Sequence, residues 1–471
     1  MKIAFCLFFL AFYSIVSAAT YYVAVNGNDN NPGSIDQPFA TWQKGFTIAK
    51  AGDIVFIRGG TYYPSGTIGY KYYCGVFQLN HNGTSSNPIK IWAYPGETPI
   101  LDCRNMTQPA SHIGIYFENC NYWHLRGLTI TRADQINGFG AAGIRFFSVN
   151  NTILENITSH HNGGSGIQVL QYSENNLLLN CDTYCNYDPY SSTPGEHADG
   201  IEIADIRERN GNERVNTMIG CRSWENADDG FDHFRCEGIL IFESCWAWHN
   251  GYVPETEISA GNGDGFKLGI TTGTPELVPQ RKLSNCISYN NRTRGFSQNG
   301  ANVLMELYNN ISAFNTNHGY LFYDYNQRDI LRNNISYKNG DDIYSQSLQI
   351  IDHNSWQNGL IVSDADFKSL DGSQLTKPRK ANGDLPDITF MHLASGSDLI
   401  DAGINVGLPF SGQAPDISAF ETVPATPVVD NQPPVVSISS PSNSASFTSP
   451  ASITVNASAS DADGAIIKVE F

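Results

Sequence analysis

The chain has 471 residues, with 28 basic and 46 acidic side chains for a formal charge of -18, yet only 16% of residues are charged. A nucleic-acid ligand needs a basic face that this balance does not supply, and a polyanionic ligand would be repelled unless cations stood between. Glycine is abundant at 43 residues, which suits a β protein rich in turns.

Lys2, the apolar stretch Ile3 to Val16 and the small residues Ser17, Ala18 and Ala19 together read as a secretory signal peptide over 1–18. Secretion to the extracellular space is therefore expected. The stretch is too short to span a bilayer, and no later segment could, so no membrane partner is expected. Removing it takes away Cys6 and leaves nine cysteines, an odd number that argues against a complete disulfide framework. Next, Tyr21 to Gly60 leads into the main body, with a short amphipathic helix expected over Ala40 to Lys50 to cap its open end.

From residue 156 onward a seven-residue pattern recurs eight times and always ends in Asn, as in NITSHHN (156–162), NCDTYCN (180–186) and GCRSWEN (220–226). From Asn162 the steps are 24, 40, 24, 41, 24, 24 and 19 residues, so the two long steps read as one period plus a loop insertion. Short apolar runs separated by Asn and Gly are strands and turns. A 24-residue repeat gives a perimeter of about 80 Å, enough for a three-sided coil. The expected fold is therefore all-β: a parallel β-helix whose terminal amides stack as an Asn ladder. Cys181, Cys221, Cys245 and Cys286 share one repeat position and are expected to stack as small core residues. Trp224, Trp246 and Trp248 likewise read as packing residues.

Most copies are followed by Gly and a large apolar residue, from Gly166-Ile167 to Gly319-Tyr320. Aligned on that Gly, the preceding residues are Ser165, Asp199, Asp229, Asp264, Arg294 and His318. The residues two beyond are Gln168, Glu202, Asp232, Lys267, Ser297 and Leu321. Carboxylates thus concentrate on three consecutive coils, with Asp228 beside Asp229. Clustered carboxylates without His or Cys favour a hard cation, above all calcium. The bland alternatives are a solvated acidic turn or a calcium that only staples coils together. Lys267 reads either as a salt-bridge partner of Asp232 or as a base whose proton affinity a nearby cation lowers. His160-His161 lacks a zinc spacing and reads as a turn or core pair.

The β-helix with its Asn ladder, carrying HADGIEIAD (197–205), WENADDGFDHF (224–234) and GNGDGFKLG (261–269) in that order, resembles the family 9 polysaccharide lyases. The likeness runs over about 20–421, and implies a right-handed helix and a pectate lyase-like enzyme. It implies Asp199, Asp228, Asp229 and Asp232 as Ca²⁺ ligands and Lys267 as the catalytic base. The expected partner is an acidic polysaccharide, polygalacturonate or rhamnogalacturonan, cleaved by β-elimination by a monomer. Arg235 and Arg294, near the expected groove, are candidates for binding uronate carboxylates. A β-helix glycoside hydrolase using paired carboxylates, or a non-catalytic carbohydrate-binding solenoid, are the alternatives.

Downstream, Ser395 to Glu421 is Gly- and Pro-rich, lacks the repeat and is expected to close the far end. The expected domains are 19–421 for the β-helix, 422–434 for a linker and 435–471 for a partial immunoglobulin-like segment. That last piece has alternating strands but falls well short of the roughly 100 residues of a full sandwich.

Overall fold

The computed structural model describes residues 18–69, 72–107, 110–136, 138, 140–207, 214–270, 279–323, 329–345, 349–422 and 435–460. The expected signal peptide, apart from Ala18, lies outside the described residues, as do 423–434 of the expected linker and 461–471. The chain divides into two units, Met1–Glu421 and Thr422–Phe471.

In the first unit the strands assemble into three long sheets of 12, 10 and 11 members among the described residues. Each strand pairs in parallel with its counterpart one coil away, except for one antiparallel pair, Thr67–Gly69 with Tyr72–Leu79. This is the three-sided parallel β-helix that the repeat predicts. Its terminal amides form the ladder. Nδ2 of each Asn donates to Oδ1 of the next along Asn162, Asn186, Asn226, Asn250, Asn291, Asn315 and Asn339, at 2.8–3.0 Å. The same Oδ1 atoms also accept the preceding ladder residue's backbone N–H, from Asn162 N at one end to Asn315 N at the other. An amide offers both donor and acceptor, so stacked copies satisfy one another at a depth where an orphaned group would cost about 1–3 kcal/mol.

The eighth copy departs from this pattern. Asn354 joins a second ladder through Asn310 and Asn334, while Asn358 is exposed.

The Gly after each ladder turn is required by close approach. A Cβ on Gly200 would lie 1.7 Å from Ser223 Oγ and 2.8 Å from Asn226 Nδ2. One residue on, the large apolar side chains stack inside. Phe231, Phe266, Phe296 and Tyr320 follow at centroid separations of 4.7, 4.8 and 5.1 Å. Cys181, Cys221, Cys245 and Cys286 are fully buried, and every cysteine among the described residues is a free thiol.

The N-terminal cap is a helix, α1 (Trp42–Ile48), shorter than the stretch expected. Thr41 caps it by accepting from Lys44 N, and Trp42 and Phe46 are buried.

The Ser395–Glu421 stretch and the chain before it, from Phe367 on, pack together along one flank of the coils. Phe367, Phe390, Met391, Leu393, Leu399 and Ile417 pack on the outer side of the 10-stranded sheet, against Trp246, Trp248, Ile287, Ile311 and Ile335. Arg379 and Arg222 both pair with Asp182, at 2.6 and 2.7 Å, and Asn333 Nδ2 donates to Ile404 O. The solenoid's outward apolar residues on this side need a cover, and the segment supplies it along the flank. In the second unit Val435–Ser440 pairs antiparallel with Asn456–Ser460.

Candidate active site

The 11-stranded sheet sets the site. Its ladder pairs Gln168 with Glu202, Glu202 with Asp232, Asp232 with Lys267 and Lys267 with Ser297. The column read from the Gly alignment is therefore the physical register, with side chains about 4.8 Å apart along the coil axis. The column before each Gly is in register too: Gly166 N donates to Asp199 O, Gly200 N to Asp229 O and Gly230 N to Asp264 O.

The two columns converge. Carboxylate oxygens of Asp199, Asp229 and Asp232 lie within 4.8 Å of one another, and all three residues are buried. Asp199 Oδ1 accepts from Asp229 N at 3.2 Å and Asp229 Oδ1 from Asp264 N at 2.7 Å. Asp229 Oδ2 and Asp232 Oδ1 are buried without a hydrogen bond. Two unit charges at this separation repel by roughly 3 kcal/mol even at an effective dielectric of about 20, so the group calls for positive charge. Lys267 provides some. Its Nζ lies 2.9 Å from Asp229 Oδ2 and 3.3 Å from Asp232 Oδ2. Buried carboxylate oxygens with unfilled acceptor positions are the donors a hard divalent cation takes, and this set fits one.

Asp228 stands apart from that group of three. Its Oδ1 accepts from Asn262 N at 2.5 Å and Asn262 Nδ2 at 3.1 Å. The loop carrying Asn262 reaches it because Gly261 presses against Asp228, where a Cβ would sit 2.5 Å from Oδ1.

The electrostatics follow from burial and crowding. Burial, then Asp228 and Asp232, push Asp199 well above the usual carboxylate range. Burial raises Asp232 to about 7 and Asp264 to about 6, with the Asp229 charge adding to both. For Lys267, burial works against the charge, but Asp229, Asp232, Asp228 and Asp199 outweigh it and hold the ammonium well above its ordinary value. In this arrangement Lys267 is a cation.

The two arginine candidates each pair with an acid. Arg235 pairs with Asp205 at 2.8 Å and Arg294 with Asp264 at 3.3 Å, and neither lines the groove beside Lys267. That groove, about 890 Å³, runs from Tyr72 past Tyr116, Arg145, Gln168, Glu196 and His197 to Asp199, Glu202, Asp232 and Lys267. Arg145 is the arginine that lines it. Arg145 sits 4.7 Å over the Tyr72 ring, and its Nε donates to Gln168 Oε1 at 2.6 Å. Sequence reading missed Arg145, although its register opposite Gln168 extends the same column by one coil.

Residues 21–347 match the family model described as "Pel9A-like, right handed beta helix region". The chain belongs to this family. Residues 434–471 match a bacterial Ig domain. Among similar proteins, pectate lyase L of Dickeya chrysanthemi is 32% identical over 409 residues, 85% of this chain and 90% of that protein. Pectate lyase PEL9 of Emericella nidulans is 30% identical, covering 83% and 96%. The crystal structure of pectate lyase Pel9A superposes with a TM-score of 0.72 at 30% identity, covering 87% of this chain and 97% of that one. A structure titled rhamnogalacturonan lyase reaches the same TM-score at 28% identity, covering 80% and 97%. As a member of the Pel9A-like family, the protein is a polysaccharide lyase.

Proposed function

We propose that this is a secreted, calcium-dependent pectate lyase that cleaves α-1,4-linked polygalacturonate by β-elimination. The observation that carries it is the placement of Lys267 Nζ against the buried carboxylates of Asp229 and Asp232, at the edge of a groove open to a polymer. The relatives named pectate lyase support the substrate. The apolar leader of the sequence supports secretion, and no helix among the described residues is long and apolar enough to cross a membrane.

Asp199, Asp229 and Asp232 would hold the calcium ion, with Asp228 steadied beside them by Asn262. When bound, the ion supplies positive charge that compensates the aspartates and the uronate carboxylate and acidifies the proton on carbon 5. Once the aspartates no longer hold Lys267 as an ammonium, its Nζ serves as the base that takes that proton. The electron pair left at carbon 5 then forms the double bond to carbon 4 as the bond from carbon 4 to the leaving oxygen breaks, and that oxygen takes a proton from water, giving an unsaturated uronate. Arg145, at the far part of the groove, is placed to meet an acidic sugar, whereas Arg235 and Arg294 are engaged by Asp205 and Asp264. The equal structural match to a protein titled rhamnogalacturonan lyase supports a second reading, in which the backbone cleaved is rhamnogalacturonan.

The test is product analysis on both polymers, with calcium and with chelator. Unsaturated product from polygalacturonate that disappears with chelator supports the first reading; product from rhamnogalacturonan alone selects the second. Reducing ends without unsaturation would overturn both.

A further inference from the structure

A second cluster of ligating groups lies at the outer turn of the coils, away from the groove. His161, Cys185, Glu225 and His249 each precede a ladder Asn and share a left-handed backbone, with φ of 53, 53, 52 and 53°. This common geometry projects their side chains from one edge as a column. Beside it runs the loop from Gly251 to Gly263, which brings Glu255. The ligand atoms of His161, Cys185 and Glu255 all lie within 4.8 Å of one another. His161 Nε2 is 3.9 Å from Glu255 Oε1. Cys185 Sγ donates to Glu225 Oε2 at 3.3 Å.

We propose that His161, Cys185 and Glu255 form a binding site for a thiophilic divalent metal ion of the zinc type, with Glu225 or a water at the fourth position.

The donor chemistry excludes calcium and favours a borderline ion, since one sulfur and one imidazole nitrogen stand among the three. A tetrahedral zinc centre places neighbouring ligand atoms about 3.3–3.6 Å apart. Separations within 4.8 Å need to close by at most about 1.5 Å, and Glu255, with a side chain 76% exposed, has freedom to move toward the other two. The imidazole is also oriented. His161 Nδ1 is 2.6 Å from His160 Nδ1, and His160 is fixed by stacking on Tyr184 with ring centroids 4.6 Å apart. A partner that engages one ring nitrogen and leaves the other facing the ligands orients a metal-bound histidine, and His160 takes that place here. Burial and the Arg132 charge lower His161, and burial with His161 lowers His160 to about 4. Both rings are thus neutral near pH 7, the state that coordinates. Burial and Glu225 raise the Cys185 thiol, so the metal would displace its proton to solvent as it binds. Two formal negative charges, thiolate and Glu255, then match the ion.

The site also has a structural consequence. The loop that carries Glu255 at one end carries Asn262 at the other, and Asn262 holds Asp228. A metal at Cys185 would pin this loop to the outer turn.

The experiment titrates Co²⁺, then Zn²⁺, into full-length protein freed of metals, with Ca²⁺ in excess to fill the aspartate set. One equivalent of Co²⁺ should bind with a thiolate-to-cobalt charge-transfer band, and Zn²⁺ should displace it. Cys185 is the thiol with measurable exposure among the described residues, at 6%, while the other eight are at 0%, so the band reports on it. Cys185→Ser should abolish the band. Glu255→Gln, an exposed change that leaves folding intact, should weaken binding. His160→Ala should weaken it by about 10–100-fold through loss of the orienting ring. Asp229→Asn should leave the band intact, separating this site from the groove. No charge-transfer band in the wild type, or one that survives Cys185→Ser, overturns the proposal. If Cys185→Ser fails to fold, unchanged Co²⁺ affinity in Glu255→Gln does so.

Discussion

Two stacks of like side chains run through the same coils, a few residues apart, and behave in opposite ways. At the turn, the side-chain amides of Asn186, Asn226, Asn250 and Asn291 each donate to the next along the stack. Just beyond it, Asp199 and Asp229 repeat with the same coil spacing, yet Asp229 Oδ2 has only the Lys267 ammonium beside it and Asp232 Oδ1 is left without a hydrogen bond. A stacked amide is self-complementary; a stacked carboxylate has only acceptors. Repetition therefore stabilises the first column and strains the second, and strain of that kind marks where a solenoid receives a cation. Asp182, on the 10-stranded sheet, shows the third outcome: a buried carboxylate satisfied by two guanidinium groups.

The largest effect expected from this contrast is on catalysis. Lys267→Ala should reduce the initial rate of unsaturated product formation by about 10²–10⁴-fold, in protein that still folds and binds calcium. A variant keeping more than about a tenth of the rate would remove Lys267 as the base. Next comes the satisfied acid. Arg379→Ala leaves Asp182 with one of its two partners, and should cost on the order of 3 kcal/mol in chemical denaturation. Burial opposes the Asp182 charge, but Arg222 and Arg379 prevail and lower its pKa from 3.8. Its stabilisation is therefore complete above about pH 4 and lost as pH falls through the lower folded value. Asp182→Asn should flatten that part of the stability–pH curve.

In the amide ladder, Asn226→Ala removes the acceptor of Asn186 Nδ2 and Asn186 N. The expected loss is about 2–6 kcal/mol, from two buried donors left at about 1–3 kcal/mol each. The smallest effect should have the opposite sign. Asp232→Asn, measured with chelator, should leave stability unchanged or raise it by about 1 kcal/mol, because it removes a charge that burial disfavours. The same variant should abolish any rise in melting temperature with calcium. A strong destabilisation in chelator would mean that the carboxylate column is not strained, and the contrast with the ladder would fall.

How much of this could be read from residues alone depended on periodicity. The ladder, the Phe231–Phe266–Phe296 stack and the Asp232–Lys267 register were legible because each coil repeats what the last one did. The contacts that came from outside the coils were not. Asn262 reaches Asp228 through one of the two inserted loops, whose path no period predicts. The segment around Phe390 and Arg379 packs on the sheet flank, where a Gly- and Pro-rich composition suggests only irregular chain. His161 and Cys185 sit 24 residues apart, one coil and so adjacent in space, but Glu255 joins them from a loop that no period predicts. Arg145 was within reach of the register and was overlooked because its coil carries no carboxylate.

The ladder also acts as a ruler. Since Asn291, Asn315 and Asn339 present the same amide at the same corner, each coil leaves its successor an interchangeable platform. The molecule's length is thereby a count of identical steps, independent of the chemistry mounted on any one of them. A lineage could shorten or extend the scaffold in units of one full turn while Asp199, Asp232 and Lys267, several platforms below, kept their mutual positions.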